Sequence, residues 1–173
     1  MDVIGPSRHP TLKDQQDLPY LRATLLELGR FASVAPLAVP HKSMKSCKLQ
    51  QYTIPKDTEV WVNLWALHHD ENLWDEPFAF KPERFLDADG QLVAADHANR
   101  KNTFVFGAGN RVCVGEVLAN SRMFLITARI LQNFTILPEN SVKNQPSCDP
   151  RDMQMGFALL PPPFKVRMIS SSS

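Results

Sequence analysis

One stretch of this chain carries side chains whose types and spacing could do chemistry: Phe106-Gly107-Ala108-Gly109-Asn110-Arg111-Val112-Cys113-Val114-Gly115. Its pattern is F-x-x-G-x-R-x-C-x-G, and a helical pattern starts directly behind it. The chemistry it suggests is metal ligation, with Cys113 as a thiolate bound to haem iron. A thiolate on iron needs donors to stabilise its charge, and a backbone loop supplies them. Gly109 and Gly115 let the loop turn tightly and let backbone approach a porphyrin with no Cβ in the way. Phe106 can shield the sulfur from water. Arg111 can reach a haem propionate, where its planar fork suits a carboxylate. A helix beginning near Glu116 aims its positive N-terminal end at the thiolate. Two plainer readings stand beside this one. A single cysteine is commonly a small buried hydrophobe. A Gly-rich loop ahead of a helix can hold a phosphate. Phosphate loops of the usual kind end in Lys-Ser or Lys-Thr, however, and this one does not. Five residues at fixed spacing are more specific than either alternative.

Two further groups of charged residues fall upstream. Glu27-Leu28-Gly29-Arg30 places an acid and a base three apart on a helix, where they can pair. Alone, such a pair is usually solvated and worth under ~1 kcal/mol. Gly29 costs ~1 kcal/mol relative to Ala in mid-helix. The second group is Phe80-Lys81-Pro82-Glu83-Arg84-Phe85. His68-His69-Asp70 looks metal-like, but adjacent side chains diverge on a helix or a strand, so a structural role is expected there. Cys47, Cys113 and Cys148 are too widely spaced for a zinc half-site, and their odd number argues against a disulfide framework.

These groups must be positioned by a modest set of elements. The 173 residues suffice for one domain with a core. Hydrophobic content of 43% and charged content of 21% are ordinary for a globular chain. A net charge of +1 argues against a general nucleic-acid binder. No apolar run approaches the ~18 residues that span a bilayer, and the charged N-terminus is no signal peptide. Met1 to Asp17 reads as a loop with a short turn. A helix then runs from Leu18-Pro19-Tyr20 to about Phe31, with Leu21, Leu25 and Leu28 on one face. Ala32 to Pro40 is proline-punctuated and cannot continue it. Strands are expected over Lys48 to Thr53 and Thr58 to Leu64, joined by a turn at Ile54-Pro55-Lys56-Asp57 with proline second. A short helix is expected over Ala66 to Asp70. Trp74 to Leu86 should be irregular and Asp87 to Lys101 a polar loop. Glu116 to Phe134 is the strongest helix, with Val117, Leu118, Ser121, Phe124, Leu125, Ala128 and Leu131 on its apolar face. A polar stretch from Pro138 to Asp152 follows. Phe157 to Leu160 and Phe164 to Met168 read as two strands around Pro161-Pro162-Pro163, and Ser171-Ser172-Ser173 as a disordered tail.

E-x-x-R, then P-E-R-F, then the cysteine loop occur in the order and at the spacing of the C-terminal part of the cytochrome P-450 haem-thiolate monooxygenases, which this chain resembles from about Val3 to Met168. Within that family, Val34 to Lys42, Thr58 to His69 and Phe106 to Gly109 are similar to the steroid 17-alpha-hydroxylase/17,20-lyase branch. The resemblance implies a mainly helical α+β fold: one partial domain over 1–173, with two main helices, small β-sheets, an irregular meander and the cysteine loop. It implies haem b with an axial thiolate from Cys113, and a buried structural triad of Glu27, Arg30 and Arg84 that locks the meander. Haem contacts fall on Arg111, Phe106, Gly109 and Gly115, with His41 as a second propionate candidate. The substrate pocket falls on Val34, Ala35, Leu37 and Ala38, with Phe157 and Ala158. For His41 a surface histidine, and for each pocket residue plain core packing, stay open.

The implied reaction is hydroxylation of a steroid-like lipophile with dioxygen and electrons from NADPH-cytochrome P-450 reductase. Arg100, Lys101 and Arg122 are candidate reductase contacts; solvated surface charge is the alternative. The family's proton-delivery residues lie on a long helix upstream of everything here. An N-terminal anchor would place the full-length protein on the cytosolic face of the endoplasmic reticulum membrane. The chain corresponds to roughly the last third of such an enzyme, so alone it is not expected to be a competent monooxygenase, and parts of both long helices should be uncovered. The competing readings are a xenobiotic-hydroxylating member, a truncated non-catalytic fragment and an electron-transfer haem protein.

Overall fold

A computed structural model describes residues 3–139 and 147–171. Met1, the last two serines of the tail and part of the polar stretch after Pro138 lie outside them. The architecture is mixed, with helices and small two-stranded antiparallel sheets. Helix α1 (Pro19–Ala32) starts with proline in its first turn, where no hydrogen bond is lost. It ends at Ser33, in the left-handed region at φ 40°, whose N–H donates to Gly29 O at 3.2 Å. Helix α4 (Glu116–Asn133) follows Gly115 directly. The core centres on Ala23 of α1 with Trp74 and Phe85 from the irregular stretch, joined by Leu26, Leu86 and Leu92.

Several elements depart from what local pattern predicts. The N-terminal stretch holds a 3₁₀ helix over Leu12–Asp17, because Asp14 accepts from the N–H of Thr11 at 2.7 Å and from its hydroxyl at 3.0 Å. The single strand expected over Lys48 to Thr53 is a hairpin, β2 (Cys47–Leu49) against β3 (Tyr52–Ile54). It turns at Gln50, whose φ is +53°. The following turn sits one residue later than expected. Thr58 N–H donates to Pro55 O, which puts proline first, and Asp57 takes the positive φ of 67°.

The expected strand to Leu64 stops after β4 (Glu59–Val60), which pairs with β1 (His41–Lys42). Asn63 ends it: its side-chain oxygen accepts from Ala66 N–H at 2.9 Å and starts α2 (Leu64–His68), two residues before the expected short helix. The irregular stretch contains a 3₁₀ turn over Pro82–Phe85, and the expected polar loop closes with a short helix, α3 (Ala98–Lys101).

At the C-terminal end, α4 stops at Asn133 and Phe134 opens a strand. β5 (Phe134–Pro138) pairs with β6 (Val166–Ser170) over five residues in antiparallel register. Phe157 to Leu160 forms no strand; Leu160 makes one bridge, to Gln154. The long-range partner of β6 thus lies across the whole C-terminal loop, not beyond the prolines. Ser171 continues the sheet by donating to Asn133 O at 2.7 Å, so the tail is tied at least that far. Of the face expected on α4, only Phe124 and Ala128 are buried, while Val117 is 78% exposed and Leu118 56%. The C-terminal end of the same face reaches the N-terminal stretch, where Gln132 Nε2 donates to Gly5 O and Arg8 O. Among the described residues no helix is long and apolar enough to cross a membrane.

Candidate functional site

Glu27, Arg30 and Arg84 meet in the core. Glu27 and Arg30 are fully buried, and the Arg84 side chain nearly so. The Arg30 fork is bidentate on Glu27, with Nε to Oε2 and an Nη to Oε1, both at 2.8 Å. Arg84 Nε donates to Glu27 Oε1 at 3.2 Å, and the backbone N–H of Lys81 adds a fourth donor at 2.9 Å. The remaining guanidinium N–H groups hold carbonyls at the end of α2 and in the irregular stretch. Arg30 donates to His68 O at 2.6 Å and Pro77 O at 2.9 Å, and Arg84 to Asp75 O at 3.0 Å and Ala79 O at 3.3 Å. Trp74 lies beneath both cations, 5.0 Å from Arg30 and 5.8 Å from Arg84. A segment with little regular hydrogen bonding is thereby held by charge-assisted bonds to its backbone.

His68 and His69 have separate partners. The His68 ring is hydrogen-bonded at both nitrogens, by Ser33 Oγ at 2.8 Å and by the N–H of Phe104 at 3.0 Å. Burial, then the charges of His69 and Arg30, push its pKa down to about 4. His69 stacks on Phe78 at 5.1 Å and lies tilted against Trp65 at 4.5 Å; burial leads the lowering of its pKa too. Ser33 and the partner of His68 escaped the sequence reading. The available signal was Gly29, a helix-weakening residue retained one turn away from Ser33. A Cβ on Gly29 would lie 2.7 Å from Val105 Cγ2, so the glycine makes room for the segment that leads into the cysteine loop.

The loop itself is an exposed ledge. Gly107 and Gly109 both sit at positive φ, 78° and 71°, with a 3₁₀ turn over Gly109–Arg111. Cys113 is exposed, and its N–H donates to Phe106 O at 2.8 Å, closing the loop on itself. Gly115 lies beside it, where a Cβ would sit 3.7 Å from Sγ. Among the described residues no acceptor takes the N–H of Val114 or Gly115. An outward-facing thiol, two free backbone donors and the N-terminus of an 18-residue helix form a donor set that fits a thiolate ligand to haem iron. Val112, Val114, Val117 and Leu118 around it are exposed and apolar, as a flat macrocycle would require. The Arg111 guanidinium is exposed and has no partner among the described residues. His41 is exposed on β1 opposite Val60, with no bond joining it to the loop.

The pocket candidates come from two strips that the fold brings side by side. Leu159 N–H donates to Val34 O at 2.8 Å, which seats Phe157 and Ala158 near Val34 and Ala35. Pro36 O accepts from Trp65 N–H at 3.0 Å, and Ala38 takes φ +54°. Val34, Leu37 and Phe157 are exposed and belong to no core. None of the six lines a cleft of about 650 Å³ between Leu28, Phe31 and Phe80 on one side and Ile136, Pro162 and Phe164 on the other. Of the candidate reductase contacts, Lys101 and Arg122 are exposed, whereas Arg100 is half-buried and donates to Val93 O at 3.1 Å.

Comparison with known proteins agrees with this geometry. Residues 1–168 match the Cytochrome P450 family model. The chain is 43% identical over 166 residues to human Cytochrome P450 2U1, covering 95% of this chain and 28% of that protein. It is 42% identical over 167 residues to the steroid 17-alpha-hydroxylase/17,20 lyase of Squalus acanthias, covering 95% of this chain and 31% of that protein. With the enzyme of the same name from Gallus gallus the identity is 48% over 133 residues, 77% of this chain and 26% of that protein. The chain thus spans under a third of the length of these relatives. The family binds haem through a cysteine thiolate, the residue type that the exposed ledge presents, and the chain belongs to the cytochrome P450 family.

Proposed function

We propose that these residues form the haem-thiolate portion of a monooxygenase that hydroxylates a steroid-like lipophile. The observation that carries this is the ledge: Cys113 is exposed just before α4 and is followed by the N–H groups of Val114 and Gly115, which no acceptor among the described residues takes. Cys113 holds the iron of haem b, and the two amides and the helix terminus stabilise its negative charge. Phe106, Gly109 and Gly115 shape the loop against the macrocycle, and Arg111 pairs with a propionate, with His41 as a second cationic contact. Bound haem supplies reductive activation of dioxygen and insertion of one oxygen atom into a C–H bond. Glu27, Arg30 and Arg84 do no chemistry; they hold the meander below the loop. Val34, Ala35, Leu37 and Ala38, with Phe157 and Ala158, contribute apolar wall to the substrate site.

The steroid assignment is supported by the names of the 17-alpha-hydroxylase relatives and by the exposed apolar strips at 34–38 and 157–158. Electrons come from NADPH-cytochrome P-450 reductase on the cysteine side, with the exposed Lys101 and Arg122 as candidate contacts. The place of action is the cytosolic face of the endoplasmic reticulum membrane. The test is the carbon monoxide difference spectrum of the ferrous protein, taken on this chain and on any longer product of the same gene. A Soret band strongly red-shifted from that of histidine-ligated haem is expected, and Cys113→Ala should abolish it. A folded protein that binds no haem in either form would overturn the reading. Displacement of the low-spin spectrum by steroids and not by planar xenobiotics is the expected outcome for substrate class.

A further inference from the structure

Three consecutive residues lead from the core to Cys113, and each is gripped by a different group. The N–H of Phe104 donates to His68 Nε2 at 3.0 Å. Val105 packs over the bare Cα of Gly29, where a Cβ would sit 2.7 Å from its Cγ2. Phe106 O accepts the N–H of Cys113 at 2.8 Å.

The first grip dictates the state of the histidine. A backbone N–H can only donate, so Nε2 accepts and the ring proton is on Nδ1. Nδ1–H then donates to Ser33 Oγ at 2.8 Å, and the Ser33 hydroxyl donates onward to Arg30 O at 2.8 Å. Every atom in this relay has one role, and the ring is buried and neutral. Burial, and after it the charges of His69 and Arg30, lower the His68 pKa, which agrees with a neutral ring. The backbone of His68 is held as well, its carbonyl accepting from Arg30 at 2.6 Å. The relay therefore runs from the Glu27–Arg30 pair to the peptide two residues before the acceptor of the Cys113 N–H.

We propose that His68 is a positioning residue: with Gly29 it sets where Phe104 to Phe106, and through them the Cys113 backbone, sit relative to α1. This deepens the haem-thiolate reading above and rests on it for its functional meaning. Its physical content stands without haem. The thiolate can face an iron at the right height only if its peptide is fixed; among the described residues the Cys113 N–H is held by Phe106 O, and its carbonyl only by the Glu116 N–H of the helix start.

Two substitutions separate the roles of the ring. Gln can place an acceptor where Nε2 is and keep the Phe104 bond. Asn reaches only as far as Nδ1 and keeps the Ser33 bond. Amide hydrogen exchange of the 173-residue chain is the first readout. In His68→Asn, exchange at both Phe104 and Cys113 is expected to rise about tenfold or more, with α1 unchanged, and in His68→Gln both stay within about threefold of wild type. Unchanged exchange at either amide in His68→Asn would overturn the proposal. If that variant does not fold, Val105→Ala removes the second grip alone and is read the same way: joint acceleration at Phe104 and Cys113 supports the proposal, and acceleration at Phe104 only overturns it.

The second readout is the carbon monoxide spectrum of whichever product binds haem. At equal haem content, the fraction showing the thiolate band is expected to fall severalfold in His68→Asn and to recover in His68→Gln. A thiolate fraction that does not move, with exchange accelerated, would show a clamp that does not position the ligand and would sink the proposal while leaving the haem-thiolate function intact. Absence of the band from wild type would instead remove that function, and the exchange at Cys113 would still decide whether His68 fixes its peptide.

Discussion

The triad around Glu27 and the ledge around Cys113 are built in opposite ways. At the triad every charge is out of water, and Glu27 alone receives two guanidinium groups and a backbone N–H. At the ledge the thiol, Arg111, two amides and four apolar side chains all face outward. The first region is finished by residues of this chain. The second is left open by the described residues; on the proposed function haem would finish it, with iron for the sulfur, a propionate for Arg111 and an apolar face for Val112 and Val117. The difference separates what the residues do for the fold from what they do for a ligand, and the two regions should respond to substitution in opposite ways.

The largest effect is expected at Glu27. Glu27→Ala strands the Arg30 and Arg84 guanidiniums and the Lys81 N–H in the core, at a cost of about 3–5 kcal/mol. Urea unfolding checks it, and a loss below about 1 kcal/mol would erase the contrast between the regions. Next in size is a pH effect that belongs to the same buried side. The folded pKa of His68, about 4, lies below its unfolded value of 6.5, so the unfolded chain binds more protons between the two. Stability is therefore full above about pH 6.5 and declines as the pH falls toward 4, by up to about 3 kcal/mol from this group. His69 shifts in the same direction and adds to the decline. Comparing urea midpoints at neutral and acid pH in wild type and His68→Gln isolates the contribution of His68; equal acid sensitivity would remove it.

How far the two regions could be read from sequence differs for a physical reason. The loop is local: Phe106, Gly109, Arg111, Cys113 and Gly115 fall within ten consecutive residues, so a fixed spacing can nominate them without knowledge of the fold. Glu27 and Arg30 are also neighbours, on one helix face. Arg84 joined them only through the order of three motifs, since nothing near Glu27 announces a partner 57 residues away. The grip on Phe104 was invisible because His68 meets it across 36 residues. The pairing of β5 with β6 was missed likewise, because the apolar run after Phe134 is short and its partner lies about thirty residues on. Where a polar side chain redirected the backbone locally, as Asn63 does, the signal was present but was outweighed by the alternation of Val60, Val62 and Leu64.

Gly29 gives a smaller effect with two opposed parts. Ala there gains about 1 kcal/mol of helix propensity, but its Cβ collides with the stiff side chain of Val105, and overpacking of this kind costs about 1–3 kcal/mol. Gly29→Ala is thus expected to destabilise by about 1 kcal/mol, and Gly29→Ala in a Val105→Ala background to stabilise by a similar amount relative to Val105→Ala alone. Additive behaviour in this double-mutant cycle would mean that the glycine makes no room for the loop.

The smallest effect on stability is expected where the chemistry is proposed. Cys113 is exposed and its side chain has no bond among the described residues, so Cys113→Ala should move the unfolding free energy of the haem-free chain by no more than about 0.5 kcal/mol. The same substitution is expected to remove the thiolate band completely. Arg111→Ala should behave alike, near-neutral for the haem-free fold and weakening for haem retention. A ledge residue whose loss costs the empty fold as much as Glu27 would mean that the sulfur is part of the core after all. A ledge residue whose loss costs neither fold nor haem would mean that its outward direction is incidental. Only the split outcome, silent without ligand and decisive with it, is what an exposed thiol beside two unpaired amides leads one to expect.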